Sequence, residues 1–176
     1  MAKLTLAVLL CSTLLAAQSA PVQSSSQSWR ALLAGYLGHW ETSGKFFDTK
    51  FSKAHTVTST LDCDWSPQGT YMVCEQLIHD DQGEHTQLTI YTPNPDGPDF
   101  TFYTFNKPGE KPFLGSLKIE GDTWTYGPPA GQTSTFRTTN IVKKDEVTYK
   151  VELADESGKW TTISEGSSHR VPKPAK

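Results

Sequence analysis

Cysteine is scarce in this chain, and long apolar runs are scarcer. Only three cysteines occur in 176 residues. One extended apolar stretch exists, Leu4 to Ala17, broken by Thr5, Cys11, Ser12 and Thr13. It is too short to span a bilayer comfortably, and nothing after it is apolar enough to try. An excess of basic residues is also absent: 16 Lys and Arg stand against 19 Asp and Glu. That balance argues against nucleic acid as a partner, because a basic stripe is expected there. No Gly-x-Ser-x-Gly nucleophile elbow occurs. The five histidines, His39, His55, His79, His85 and His169, show no informative spacing with Ser and Asp.

What is present at the start is the layout of an export signal. Met1-Ala2-Lys3 supplies the positive charge, Leu4 to Ala17 the apolar run, and Ala17-Gln18-Ser19 a small-x-small site. Cleavage is expected after Ser19 rather than Ala20, which makes 1–19 a signal peptide and the protein secreted or periplasmic. Cys11 lies too early, and behind Leu9-Leu10, for a lipoprotein signal. Loss of Lys3 leaves 15 basic and 19 acidic residues, a net charge of −4. Loss of Cys11 leaves an even pair, Cys63 and Cys74, which in an exported chain reads as a disulfide.

The remainder is one domain's worth of chain. Gln23 to Ser28 closes a flexible leader over 20–28, and 172–176 reads as a flexible tail. Ser28 is placed to cap a short helix over Trp29 to Tyr36, with Trp29, Leu32, Leu33 and Tyr36 on one face. Beyond Gly38 the chain alternates with period two between tight-turn sequences such as Ser66-Pro67-Gln68-Gly69, Asp80-Asp81-Gln82-Gly83 and Glu120-Gly121-Asp122. Ten candidate strands result, from His39–Ser43 to Trp160–Glu165. Short turns make consecutive strands antiparallel neighbours, and closure removes the exposed edges. The expected fold is an all-β, antiparallel up-and-down barrel of about 8–10 strands over 29–171, with a short N-terminal helix. A two-sheet sandwich is the alternative. If Pro67 to Thr70 form the hairpin loop, Ser66 faces Tyr71 and Cys63 falls opposite Cys74, a spacing suited to a bridge. Phe100-Thr101-Phe102-Tyr103-Thr104-Phe105 is aromatic on both faces, so one face needs a cover, and the helix is the candidate for it.

Leu37-Gly38-His39-Trp40 opens the first strand with Gly-x-Trp. Further on come Tyr103-Thr104-Phe105-Asn106, Gly121-Asp122-Thr123-Trp124, Gly158-Lys159-Trp160-Thr161 and Ser168-His169-Arg170-Val171. This ordered set, spanning Trp29 to Val171, resembles the calycin group of lipocalin-like and fatty-acid-binding-like barrels. It is most similar to the uncharacterised lipocalin-like domain of small secreted bacterial proteins. The resemblance implies that Trp40 closes the barrel floor and that Arg170 stacks across it, with Arg137 the competitor for that role. It adds an expectation of an apolar ligand.

Candidate chemistry is sparse. His79-Asp80-Asp81-Gln82-Gly83-Glu84-His85 has nitrogen and oxygen groups that suit zinc. The same residues make an ordinary wet hairpin tip, and that reading is preferred, so no metal and no cofactor are expected. No catalytic residue is assigned: His39 and His55 read as structural or solvent-facing, and a lumenal enzyme would need titratable groups to converge, such as His55 with Glu75. The aromatics are dense for a mature domain of this size, and they either pack the core or line a pocket. Phe102, Phe113, Trp124, Tyr126, Phe136 and Tyr149 are the candidate ligand-binding residues, since a small barrel either fills itself or encloses one small molecule. The leading expectation is a non-catalytic carrier or scavenger of a small apolar or aromatic molecule. The alternatives are a protein-interaction module acting through its outer surface, and a lumenal enzyme of unknown reaction.

Overall fold

A computed structural model describes residues 26–129 and 131–174. The expected signal peptide, most of the leader and the end of the tail lie outside the described residues. Helix α1 (Ser26–Leu33) tightens into a 3₁₀ turn over Ala34–Tyr36. It begins at Ser26, so Ser28 sits inside its first turn and not ahead of it as a cap. Ten strands follow: β1 (Gly38–Phe46), β2 (His55–Trp65), β3 (Met72–Asp80), β4 (Gly83–Pro93), β5 (Phe100–Phe105), β6 (Phe113–Glu120), β7 (Thr123–Gly127), β8 (Phe136–Val142), β9 (Glu146–Ala154) and β10 (Trp160–Val171). Each is antiparallel to its chain neighbours, and β10 pairs with β1, which closes the barrel and excludes the sandwich. The alternation works as the sequence suggests on β9, where Val147, Tyr149 and Val151 face the lumen and Thr148, Lys150 and Glu152 face out. A bulge between Thr162 and Ser164 reverses the faces of β10 midway.

The helix does not cover the doubly aromatic β5. It caps one end of the barrel, where Trp29 meets Trp65 edge to face at 5.6 Å and the Arg30 guanidinium lies 4.5 Å above the Trp65 ring. Its apolar face finds more surface to bury on that open end than on the convex wall. Phe100 and Phe102 point inward and are buried, while Tyr103 is left 37% exposed on the outside. In register with Tyr103, Val73, Ile90 and Leu114 form one outward row across β3 to β6.

The capped end is the floor. Leu33, Trp40, Met72, Leu117 and Trp124 are each at most 2% exposed there. Tyr36 stacks on Trp124 at 4.7 Å and accepts at its carbonyl the Trp40 indole N–H at 2.9 Å. The Arg170 guanidinium carbon lies 4.2 Å from the Trp40 ring centroid. Gly38 explains the Gly-x-Trp spacing: its φ is +109°, and a Cβ would come within 2.8 Å of an Arg170 nitrogen. The Cys63–Cys74 disulfide bridges directly opposed residues of β2 and β3 near the same end, with Cα atoms 4.1 Å apart.

Candidate ligand cavity in the barrel lumen

Above the floor the inward-facing residues leave a cavity of about 540 Å³. It opens at the far end, where Phe113 and His85 are about two-fifths exposed. Five of the six aromatics singled out in the sequence, Phe102, Phe113, Tyr126, Phe136 and Tyr149, line it. The sixth, Trp124, lies under Tyr36 in the floor and does not line it, because its ring is spent filling the closed end. The lining rings meet at angles: Phe102 and Tyr126 at 5.5 Å, Phe102 and Phe113 at 5.9 Å, Phe113 and Phe136 at 5.5 Å. Gly44 and Gly166 face each other across β1 and β10, and the Tyr149 ring lies over both. A side chain at either glycine would strike that ring and the neighbouring backbone.

Alternation within single strands did not reveal how polar the rest of the lining is. On β4, Gln87 and Thr89 face in while Leu88 and Ile90 face out, the reverse of the usual barrel rule. Inside, Gln76 donates to Ser59 at 2.8 Å, Thr42 and Ser168 share a hydrogen bond of 2.7 Å, and Thr89 and Thr104 one of 3.2 Å. The Asn140 amide nitrogen donates to the Tyr36 hydroxyl. The Asn140 side-chain oxygen and the Tyr126 hydroxyl are buried with no hydrogen-bond partner in the protein. Burial pushes the Tyr36, Tyr91 and Tyr126 phenols upward. Burial also raises Tyr149.

His55 and Glu75 do not converge. His55 stacks on Phe46 at the mouth, 3.8 Å from Asp81, whereas Glu75 points out of the wall on β3. His39 faces outward and pairs with Asp62 at 3.0 Å. In the β3–β4 hairpin, His79 and Glu84 point outside while Asp80 and His85 point in, so the two histidines cannot share one ion. Among the described residues no group of three or more His, Cys, Asp or Glu is placed to hold a metal. Arg137 stands 4.4 Å over Trp160 and 2.6 Å from Glu152 on the outer wall, away from Trp40.

A second recess of about 770 Å³ lies on the outer wall, between Leu77, Leu88 and Phe105 and the Lys107–Glu110 loop. The lumen is lined by residues of all ten strands, and three of the four unpaired buried side-chain atoms among the described residues face it: the Tyr126 and Ser164 hydroxyls and the Asn140 oxygen.

The sequence matches no family profile and no curated protein. Solved structures do match. The Rv2717c protein of M. tuberculosis superposes with a TM-score of 0.57 at 12% identity, over 81% of this chain and 96% of that one. A protein of unknown function from the DUF3598 family of Nostoc punctiforme gives 0.54 at 13% identity, over 79% of this chain but only 49% of the other. The S-type phycobiliprotein lyase CPES of Guillardia theta gives 0.53 at 9% identity, over 84% and 94%. The chain is therefore similar in fold to calycin-like ten-stranded barrels.

Proposed function

We propose that the protein is an exported, non-catalytic carrier or scavenger of a small apolar or aromatic molecule held in the barrel lumen. The observation that carries this reading is a cavity with a closed aromatic floor and an open mouth, lined by Phe102, Phe113, Tyr126, Phe136 and Tyr149. A barrel selected only for stability would fill that space, since each void forfeits packing. The disulfide and the N-terminal signal layout support an oxidising compartment. One structural neighbour carries a name that refers to chemistry on another protein, and its fold supports no closer transfer.

Titration with the neutral fluorophore N-phenyl-1-naphthylamine tests the reading. One saturable site per chain, abolished when Thr104→Trp fills the lumen, is the expected result. No enhancement with the wild-type protein would overturn it.

A further inference from the structure

Around its circumference the lumen has two unlike sides. From β4 to β8 the rings of Tyr91, Phe102, Phe113, Tyr126 and Phe136 form one continuous arc, with Thr104, Thr138 and Asn140 between them. From β10 through β1 to β4 the hydrogen-bonding groups of Ser168, Thr42, Ser59, Gln76, Gln87 and Thr89 are interleaved with Phe46, Val57, Leu61 and Ile78. Gln76 and Gln87 are direct register partners. Their amide nitrogens are engaged by Ser59 and Thr89 respectively, which leaves their carbonyl oxygens as acceptors. Three lining groups have no hydrogen-bond partner in the protein: the Asn140 oxygen and the Tyr126 hydroxyl at the inner end, and the Ser164 hydroxyl on β10. Among the described residues no Lys or Arg lines the cavity, and the Asp80 carboxylate and the His85 imidazole stand at its mouth.

Two ligand classes are disfavoured by this arrangement. A carboxylate drawn inside would lose its hydration and meet no cation in return. A bare hydrocarbon would strip water from the glutamines and from Asn140 without replacing those hydrogen bonds, and such a site rejects an analogue that lacks them.

Resting on the carrier reading, we propose that the lumen selects a neutral, flat aromatic molecule that carries hydroxyl-type hydrogen-bonding groups. Its ring face lies on the Phe102–Tyr126 arc, and its polar edge turns to Gln76, Gln87 and Asn140. Anionic amphiphiles, fatty acids among them, are excluded.

Three probes of one ring system separate these terms: pyrene, 1-pyrenemethanol and 1-pyrenecarboxylate, titrated at neutral pH by quenching of tryptophan emission. The alcohol is expected to bind at least tenfold more tightly than the carboxylate and severalfold more tightly than pyrene. In the Gln76→Leu/Gln87→Leu variant its advantage over pyrene should shrink. Equal or tighter binding of the carboxylate by the wild-type protein would overturn the selectivity while leaving the carrier reading in place. Binding of none of the three, together with no N-phenyl-1-naphthylamine site, would remove both. Because the comparison is made first on the wild-type chain, misfolding of the variant does not blunt it.

Discussion

Arg170 holds Trp40 in the barrel floor from below, its guanidinium carbon 4.2 Å from the ring centroid. The same guanidinium donates to the carbonyls of Gly35, Leu37 and Lys144. One side chain thus ties the helix, the first strand and the β8–β9 turn to the last strand. Arg170→Lys keeps the charge but cannot reproduce the planar fork. It should cost about 2–3 kcal/mol in urea unfolding, from lost stacking and lost charged hydrogen bonds. A cost below about 0.5 kcal/mol, the level of an ordinary surface change, would mean the contact is incidental.

Cys63→Ser/Cys74→Ser should lower stability by about 3 kcal/mol, the entropy of one short closed loop. Reductant should destabilise the wild-type protein to a similar degree and leave the double variant unchanged.

Substitution of Gly166 by Ala places a methyl against the Ser43 carbonyl and the Tyr149 ring. Overpacking of this kind costs about 1–3 kcal/mol. Displacement of Tyr149 should also weaken the N-phenyl-1-naphthylamine site, which an effect on stability alone would not do.

At alkaline pH the buried phenols set the limit. Tyr36, Tyr91, Tyr126 and Tyr149 have pKa values raised by burial, so the folded state keeps their protons after an unfolded chain would lose them. Their contribution is full below the unfolded phenol value near 10 and declines as pH rises through it. Absorbance at 295 nm should show Tyr36, Tyr91 and Tyr126 ionising only as the barrel unfolds, and the half-buried Tyr149 ionising above the ordinary phenol value.

The acid side has the opposite sign. The Arg137 hydrogen bond holds Glu152 below the usual carboxylate range, with Lys150 adding to it against partial burial. Partial burial opposes ionisation of Asp62, but hydrogen bonds from Lys173 and His39 outweigh it and lower its pKa. Stability from both is present above about pH 4 and is lost as pH falls through the lowered values. Glu152→Gln should therefore flatten the acid limb of the stability curve.

Strand existence was legible because turn chemistry and period-two alternation agree along most of the chain, as at β9. Closure was legible because short turns force neighbours to pair. The disulfide register followed from counting back from Ser66 and Tyr71, whose backbone groups pair at 2.9 Å. The faces of β4 were not legible: Leu88 and Ile90 point out, and only the three-dimensional register places Gln87 and Thr89 inside. The helix was misplaced for a related reason, since an amphipathic stripe says that a surface must be buried and not which surface. Trp124 shows the same limit for the site: on β7 it shares the inward face with Tyr126, yet lies one level deeper, in the floor.

Native mass spectrometry of the protein produced in an oxidising compartment tests the carrier claim most directly. A reproducible one-to-one adduct of small-molecule mass, absent when Thr104→Trp fills the lumen, is the expected result. A bare protein mass, two units light for the disulfide and unchanged on adding N-phenyl-1-naphthylamine, would contradict it.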